Sequence, residues 1–218
     1  MAGGRGYNRV VPSKGIEGCT GVLVAGGRAS RLGGVPKGLV RLGGEPIAAR
    51  TLRLFAELFP ASLVVANVPE YRDLGVPVIP DRIPGKGPPA GVHAALHAVH
   101  TEWIFAAACD MPFIEALPIR LLADRRGGAE AVLVRCGGRL HPLHAFWSRA
   151  SLPALERLIS EGNPSLVDLA GVVRTRIVDE AEWRTVDPGG RVLENVNTFE
   201  DAARLGLDTH IAPASPLA

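Results

Sequence analysis

Short apolar runs alternate with amphipathic stretches along most of this chain, and this alternation is the feature that most restricts its fold. The runs at 19–25, 62–66 and 103–108 are dominated by apolar residues, as is typical of strands buried on both faces of a sheet. Between the first two runs, apolar residues at helical spacing, such as Leu52 and Phe55, predict a helix. We therefore predict an α/β fold with three layers, in which a mostly parallel central sheet carries helices on both faces.

The second half of the chain continues this pattern. Further helices are predicted at 92–99, 114–123 and 152–159, and a last one at 198–205 begins with Thr198 as its cap. Further strands are predicted at 76–80, 131–135, 140–146 and 172–178. We expect a single domain over 19–208, a flexible segment at 1–18 and a flexible tail at 209–218.

Composition excludes several classes of protein. A net charge of +2 over 218 residues gives no reason to expect a nucleic acid or an anionic membrane as a partner. Cys19, Cys109 and Cys136 are odd in number and widely spaced, which argues against a disulfide framework or a zinc site built from cysteine. The chain has no apolar run long enough to span a bilayer, and its first 20 residues lack the apolar core of a signal peptide, so we expect a cytoplasmic location.

A glycine-rich loop follows the first buried strand, and basic side chains follow the loop. Glycines let a backbone approach a ligand closely, and Arg31 and Lys37 add positive charge for phosphate oxygens. The loop matches neither a Walker A motif nor a dinucleotide-binding turn. It predicts a phosphate site, although a tight turn with solvated arginines is also consistent with the spacing.

Two further segments point to the same end of the sheet. Asp110 follows the strand at 103–108, where its carboxylate suits Mg²⁺ bound to substrate phosphates; a turn or helix-cap role is equally consistent. The segment 85–91, rich in Gly and Pro, opens the helix at 92–99, and a helix start can receive an anion or a base edge. An ordinary loop explains the segment equally well. Asp81, just before it, is a candidate ligand contact or a turn cap.

Three histidines share one predicted helix. His93, His97 and His100 lie at i, i+4 and i+7, a spacing able to bind a transition metal. The helix has no glutamate where an HExxH motif requires one, so we favour a solvated or partly packed helix face. We likewise interpret Cys109 as a buried packing residue rather than a nucleophile.

Five segments, in order along 20–207, resemble one family. The Val-Ala-Gly-Gly run at 24–27, with Lys37, resembles the Leu-Ala-Gly-Gly signature of Rossmann-like nucleotidyltransferases. The other four resemble motifs of the molybdenum cofactor guanylyltransferases: Gly-Pro-Pro-Ala-Gly at 87–91, Cys-Asp-Met-Pro at 109–112, Arg-Leu-His-Pro at 139–142 and Asn-Val-Asn-Thr-Phe-Glu-Asp at 195–201.

The resemblance implies a Rossmann-like nucleotidyltransferase fold and a reaction in which GMP passes from GTP to molybdenum-bound molybdopterin. It implies site residues of four kinds. The catalytic ones are Lys37, Arg31 and Asp110, and Asp110 is also the ligand of Mg²⁺. Nucleotide contacts are expected from Val24, Ala25, Gly26, Gly27, Lys37, Asn67, Asp81, Gly87, Gly91 and Asp110. Pterin contacts are expected from His141, Asn195 and Asn197.

The implied partners are GTP and molybdopterin as substrates, with molybdoenzymes and an accessory GTPase beyond them, and we expect a monomer. Alternatives are a CTP-dependent molybdopterin cytidylyltransferase, a related enzyme with another phosphate acceptor, or a nucleotide-binding homologue without catalysis. Gly26, Gly27 and the segment 87–91 favour guanine. Pro36 and Val65, which depart from the family's usual residues, favour the inactive homologue.

Overall fold

The computed structural model describes residues 15–25, 31–32, 35–83 and 85–208. Gly26 and Gly27 lie outside this range, as does the side chain of Arg31. Most of the expected flexible N-terminal segment and the whole expected tail also lie outside it, so both stay predictions.

The described residues include thirteen short strands. They are β1 Cys19–Val24, β2 Arg31–Leu32, β3 Val35–Pro36, β4 Arg41–Leu42, β5 Glu45–Pro46, β6 Ala61–Val65, β7 Val78–Ile79, β8 Trp103–Ala108, β9 Ala131–Cys136, β10 Arg139–Leu140, β11 His144–Ser148, β12 Thr175–Val178 and β13 Leu207–Asp208.

Helices follow or precede most of these strands. They are α1 Ile47–Leu58, α2 Pro88–Ala98, α3 Ala116–Ala123, α4 Leu152–Glu161, α5 Leu166–Val172, α6 Glu180–Arg184 and α7 Phe199–Arg204. Short 3₁₀ turns occupy Lys37–Leu39, Pro69–Leu74 and Arg149–Ser151. None of the described helices combines the length and the apolar character that crossing a bilayer requires.

One large sheet organises the molecule. Its strand order is β10-β9-β11-β8-β1-β6-β7, and β12 pairs with β9. The pairs β7–β6, β6–β1, β1–β8 and β12–β9 are parallel, whereas β11 is antiparallel to both of its neighbours. The predicted α/β fold with a mostly parallel central sheet is therefore confirmed, with antiparallel strands towards one side.

Two hydrophobic clusters cover the two faces of the sheet. Successive residues of β1 alternate between them, since Leu23 belongs to one cluster and Val24 to the other. The first cluster contains Phe55 of α1, and the second contains Leu96 of α2 and Leu155 of α4. Helices thus pack on both faces of the sheet, which gives the three predicted layers.

The prediction of one strand at 140–146 is wrong. The structure divides this stretch into β10 and β11, with a turn at 141–143 between them. Pro142 lies in the turn, and it cannot donate a backbone hydrogen bond within a central strand. Its carbonyl instead accepts a hydrogen bond from Trp147 Nε1 at 3.1 Å. The turn places His141 beside the carboxyl end of the sheet instead of within a strand.

The strand predicted at 172–178 also begins later, at Thr175. The residues before it form α5, which sequence periodicity did not reveal. Ser165 caps this helix, since its side chain accepts from the backbone of Asp168 while the Asp168 carboxylate accepts from the backbone of Ser165. A capping box of this kind is a local signal, and it was visible in the sequence as Ser-x-x-Asp.

Candidate active site

The carboxyl ends of β1 and β8 lie side by side. Val24 and Ala108 are partners in the parallel register, and the backbone N–H of Cys109 donates to the Val24 carbonyl at 3.1 Å. Ala25 and Asp110 therefore lie just beyond the same rim of the sheet. In open α/β sheets, ligands bind at this rim, outside the carboxyl ends of the strands. Gly26 and Gly27, which continue this loop, lie outside the described residues.

At this rim a lysine, a carboxylate and two amides form one polar cluster. Lys37 Nζ lies 3.5 Å from Asp110 Oδ2 and donates to Asn197 Oδ1 at 2.8 Å. Asn195 Nδ2 donates to Asp110 Oδ1 at 2.8 Å, and the Val196 N–H donates to the Asp110 carbonyl at 2.9 Å. Lys37 is only 6% exposed, so its charge is held in place by partners rather than by bulk water.

Lys37 owes its position to a close approach between three segments. The N–H of Gly38 donates to Tyr71 Oη at 3.3 Å, and this hydroxyl donates to Cys109 Sγ at 3.7 Å. A Cβ at Gly38 would lie 2.9 Å from Tyr71 Oη, so glycine is needed for this packing. Burial raises the pKa of the Cys109 thiol to about 12, which fits packing rather than nucleophilic attack. Sequence reasoning missed Tyr71, and no local motif marks it.

Asp81 forms a second polar group with Asn67. Asn67 Nδ2 donates to Asp81 Oδ2 at 2.9 Å, and the Asp81 N–H donates back to Asn67 Oδ1 at 2.9 Å. The other carboxylate oxygen, Oδ1, is buried and has no hydrogen-bond partner among the described residues. Burial raises the pKa of Asp81 above its usual value. Buried acceptors are usually hydrogen-bonded, so Asp81 Oδ1 is suited to accept a hydrogen bond from a ligand.

The amino end of α2 lies against this group and against β1. Gly91 is buried in the first turns of α2, and a Cβ there would come within 2.7 Å of Val24 Cγ1 and 3.8 Å of Asp81 Oδ1. Gly87, which precedes the helix, has a φ of 62°, a backbone conformation that favours glycine. Both glycines thus let the helix start close to the end of β1.

A cleft of about 1520 Å³ opens beside the Lys37 cluster and the start of α2. On the side of the Lys37 cluster, its walls include Val24, Lys37, Gly87 and Asp110. The remaining walls come from the β10–β11 turn, from 163–168 after α4 and from 193–197 before α7. His141 lines the far part, where burial lowers its pKa and its Nε2 lies 3.3 Å from the Cys136 carbonyl. Asn67, Asp81 and Gly91 lie near this cleft but outside its lining.

Comparison with known proteins gives the family. The sequence profile of the MobA-like NTP transferase domain matches residues 21–175. This chain belongs to the MobA-like NTP transferase family. A probable molybdenum cofactor guanylyltransferase from Pelotomaculum thermopropionicum is 33% identical over 85% of the chain and 90% of that relative.

Solved structures share the fold of this MobA-like chain. Molybdopterin-guanine dinucleotide biosynthesis protein A from Archaeoglobus fulgidus superimposes with a TM-score of 0.72 at 24% identity, covering 86% of this chain and 96% of that one. A Mycobacterium tuberculosis protein solved in complex with manganese has a TM-score of 0.62 at 22% identity, covering 86% and 97%. The Rossmann-like nucleotidyltransferase fold is confirmed by these likenesses.

The cleft of this MobA-like chain carries basic residues beyond Lys37. Lys86 and Arg139 also line it, and the acidic Asp168, Glu194 and Asp201 line it as well, so its described walls carry charges of both signs. Lys86 Nζ donates to the backbone carbonyl of Gly162, which ties the loop before α2 to the end of α4. Sequence reasoning did not single out Arg139 as a site residue, although it stands two positions before His141. The signal available was its place as the first residue of the Arg-Leu-His-Pro motif at 139–142.

The contact between Gly91 and Val24 gives a test with a matched control. Replacing Gly91 by alanine is expected to lower the free energy of unfolding by ~1–3 kcal/mol, because the added methyl overpacks the α2–β1 contact. A methyl group at Gly171 of α5 would meet no described atom within 4 Å, so Gly171→Ala should be neutral or slightly stabilising. Chemical denaturation of both variants measures the difference. Equal stabilities would contradict the close contact.

Proposed function

We propose that this chain transfers GMP from GTP to molybdenum-bound molybdopterin, giving the guanine dinucleotide cofactor and pyrophosphate. The observation that carries the proposal is the ion pair between the buried Lys37 and the partly buried Asp110. This pair lies at the carboxyl ends of the parallel strands and faces a large cleft. The names of the curated relatives, molybdenum cofactor guanylyltransferases, support the same substrates.

The nucleotide occupies the side of the cleft formed by the end of β1 and the start of α2. Asp81 Oδ1, buried without a partner among the described residues, accepts a hydrogen bond from the base. Guanine offers N–H donors on its Watson–Crick edge, which suits a carboxylate. Val24, Ala25, Gly87 and the loop through Gly26 and Gly27 follow the ribose and phosphates, consistent with a backbone that comes close to a ligand.

Lys37 acts on the triphosphate. An ammonium has three donors, of which one reaches Asn197 Oδ1 and a second faces Asp110. The third has no acceptor among the described residues, so it can reach a phosphate oxygen. Its contact stabilises charge that grows on the phosphates as the bond to the leaving pyrophosphate breaks. Arg31 is proposed to add a second positive charge there.

Metal binding is proposed at Asp110. Its two carboxylate oxygens each meet one described partner, Asn195 Nδ2 and Lys37 Nζ, and each keeps a lone pair for a cation. One carboxylate with substrate phosphates is the usual ligand set of Mg²⁺, so the residues present fit this ion. When bound, Mg²⁺ neutralises charge on the triphosphate. The manganese held by one structural neighbour has similar preferences for oxygen ligands.

The acceptor needs no general base from the protein. Its phosphate monoester has a second pKa near 6, so it is largely ionised at neutral pH. An acceptor oxygen bonds to the α-phosphorus of GTP, and the bond from that phosphorus to the β-phosphate oxygen breaks with its electron pair leaving on pyrophosphate. The chain therefore acts by positioning and by charge neutralisation.

The acceptor side of the cleft contains His141 and Arg139. Asn195 and Asn197 were expected to contact the pterin, but their described side-chain hydrogen bonds go to Asp110 and Lys37. We therefore propose that the two asparagines position the charged pair, and that His141 faces the pterin. The expected molybdoenzyme and GTPase partners, the monomeric state and the cytoplasmic location stay predictions.

Pyrophosphate release is the decisive assay. The purified full chain is incubated with Mg²⁺ and GTP, CTP or ATP, with and without molybdenum-loaded molybdopterin. We expect release only with GTP and the pterin together. Faster release with CTP would establish the cytidylyltransferase instead, and release with GTP on another phosphate acceptor would change the substrate. Nucleotide binding without turnover under any of these conditions would establish the inactive homologue.

A further inference from the structure

Two histidines of α2 and a glutamate of α4 meet where these two helices pack against each other. His97 Nε2 lies 2.9 Å from Glu156 Oε1, and His93 Nε2 lies 3.7 Å from the same oxygen. The two imidazole rings are 4.5 Å apart, and one ligand atom from each of the three residues lies within 4.8 Å of the others. The sequence indicated the two histidines but not the glutamate, which comes from another helix.

These distances fit a tetrahedral transition metal. Two ligand atoms at about 2.0 Å from a tetrahedral Zn²⁺ lie roughly 3.3 Å apart. The observed separations of 2.9 Å and 3.7 Å from Glu156 Oε1 fall on either side of that value. The side chains of His97 and Glu156 are 30% and 48% exposed, so small rotations can bring them onto an ion without moving either helix.

His93 gives independent support, because it is buried and incompletely paired. It is only 5% exposed, and its Nδ1 has no hydrogen-bond partner among the described residues. Its Nε2 points towards Glu156, yet the separation of 3.7 Å is too long for a hydrogen bond. A metal on Nε2 would give a partner to a nitrogen that makes no hydrogen bond in the structure, whereas Nδ1 would keep no partner among the described residues.

We propose that His93, His97 and Glu156 bind one Zn²⁺ ion, with solvent completing the coordination. Two imidazoles, one carboxylate and a solvent molecule form a donor set that zinc uses in proteins. The site is distinct from the ion proposed at Asp110, whose oxygen donors suit Mg²⁺. This inference does not depend on the proposed nucleotidyl transfer.

The ion would link two walls of the cleft, the start of α2 and the segment that follows α4. Gly87 and Pro88 at the amino end of α2 line the cleft, and so do the residues at 163–165, directly after α4. The hydrogen bond from Lys86 Nζ to the Gly162 carbonyl already joins the loop before α2 to the end of α4. A metal between the helix bodies adds a second link, and it stabilises the folded chain because the unfolded chain lacks the site.

The test uses the untagged full-length protein. Bound metal is first removed with a chelator, and the chelator is then removed from the protein. Zn²⁺ is titrated in competition with a chromophoric chelator, and Co²⁺ absorption reports the geometry. We expect one equivalent of Zn²⁺ to bind. His97→Ala should weaken that binding by at least ~100-fold, because losing a residue that binds the metal directly should cost no less than losing one that only hydrogen-bonds to a ligand. Zn²⁺ should also raise the Tm of the starting protein but not that of His97→Ala.

Matched controls separate this site from others. His100→Ala alters an exposed histidine of the same region and should bind Zn²⁺ like the starting protein. Cys136→Ser tests the partly exposed thiol, and Asp110→Asn tests the carboxylate of the other proposed site. The proposal is overturned if His97→Ala and Glu156→Gln, shown to be folded by circular dichroism, bind as tightly as the starting protein. It is also overturned if Zn²⁺ shows no binding in the micromolar range.

Discussion

Replacing Lys37 by methionine is expected to lower the turnover of nucleotidyl transfer at least ~100-fold, the effect of losing one preorganised electrostatic donor. Methionine keeps an unbranched side chain at this buried position but removes the ammonium that faces Asp110 and Asn197. The loss should appear in kcat, because the charge that the ammonium stabilises grows as pyrophosphate leaves. Initial rates of pyrophosphate release at saturating GTP measure it.

The control for Lys37→Met is Arg50→Met, which removes a half-exposed cation of α1 that does not line the cleft. Its turnover should match that of the starting protein. Circular dichroism and Tm establish that both variants are folded, since the Lys37 change leaves the Asp110 carboxylate without its cation. A folded Lys37→Met variant with near-normal kcat would show that this lysine does not act on the phosphates.

Asp110→Asn is the second large expected effect, again at least ~100-fold in turnover. The asparagine oxygen can still accept the hydrogen bond from Asn195, so the local structure is largely retained. The negative charge that attracts a divalent cation is lost, and an amide NH₂ then faces Lys37 Nζ. Turnover is measured across a range of Mg²⁺ concentrations, and Mn²⁺ binding is followed by electron paramagnetic resonance.

The outcomes for Asp110→Asn are clear. Weaker Mn²⁺ binding together with lost turnover supports Asp110 as the metal ligand, whereas lost turnover with unchanged Mn²⁺ binding would restrict its role to holding Lys37. A variant with normal turnover would remove Asp110 from the mechanism altogether. The double variant Lys37→Met/Asp110→Asn should be little worse than either single one, because residues that act as a unit are not additive.

Local patterns predicted several elements well. The strand Trp103–Ala108 has the predicted bounds, because an uninterrupted apolar run of six residues fits a strand buried on both faces. The last helix begins after Thr198, as predicted, since Thr198 and Asp201 cap it through reciprocal side-chain and backbone hydrogen bonds. Both depend on residues that are neighbours in the chain.

Prediction failed where pairing partners decided the structure. Apolar residues at 140–146 read as one strand, but Leu140 pairs with Arg135 of β9, whereas Ala145 pairs with Ala106 of β8. Which strand each residue meets depends on the order of strands in the sheet. Hydrophobic periodicity carries no information on that order.

The sequence by itself determined the α/β layering, the family and the identity of most candidate site residues, since each follows from short-range patterns. Only the tertiary structure decided how they meet. Lys37 contacts Asp110 across 73 positions and Asn197 across 160, and His97 meets Glu156 across 59. Such contacts are set by the register of parallel strands and by the packing of helices on both sheet faces, which join segments far apart in the chain.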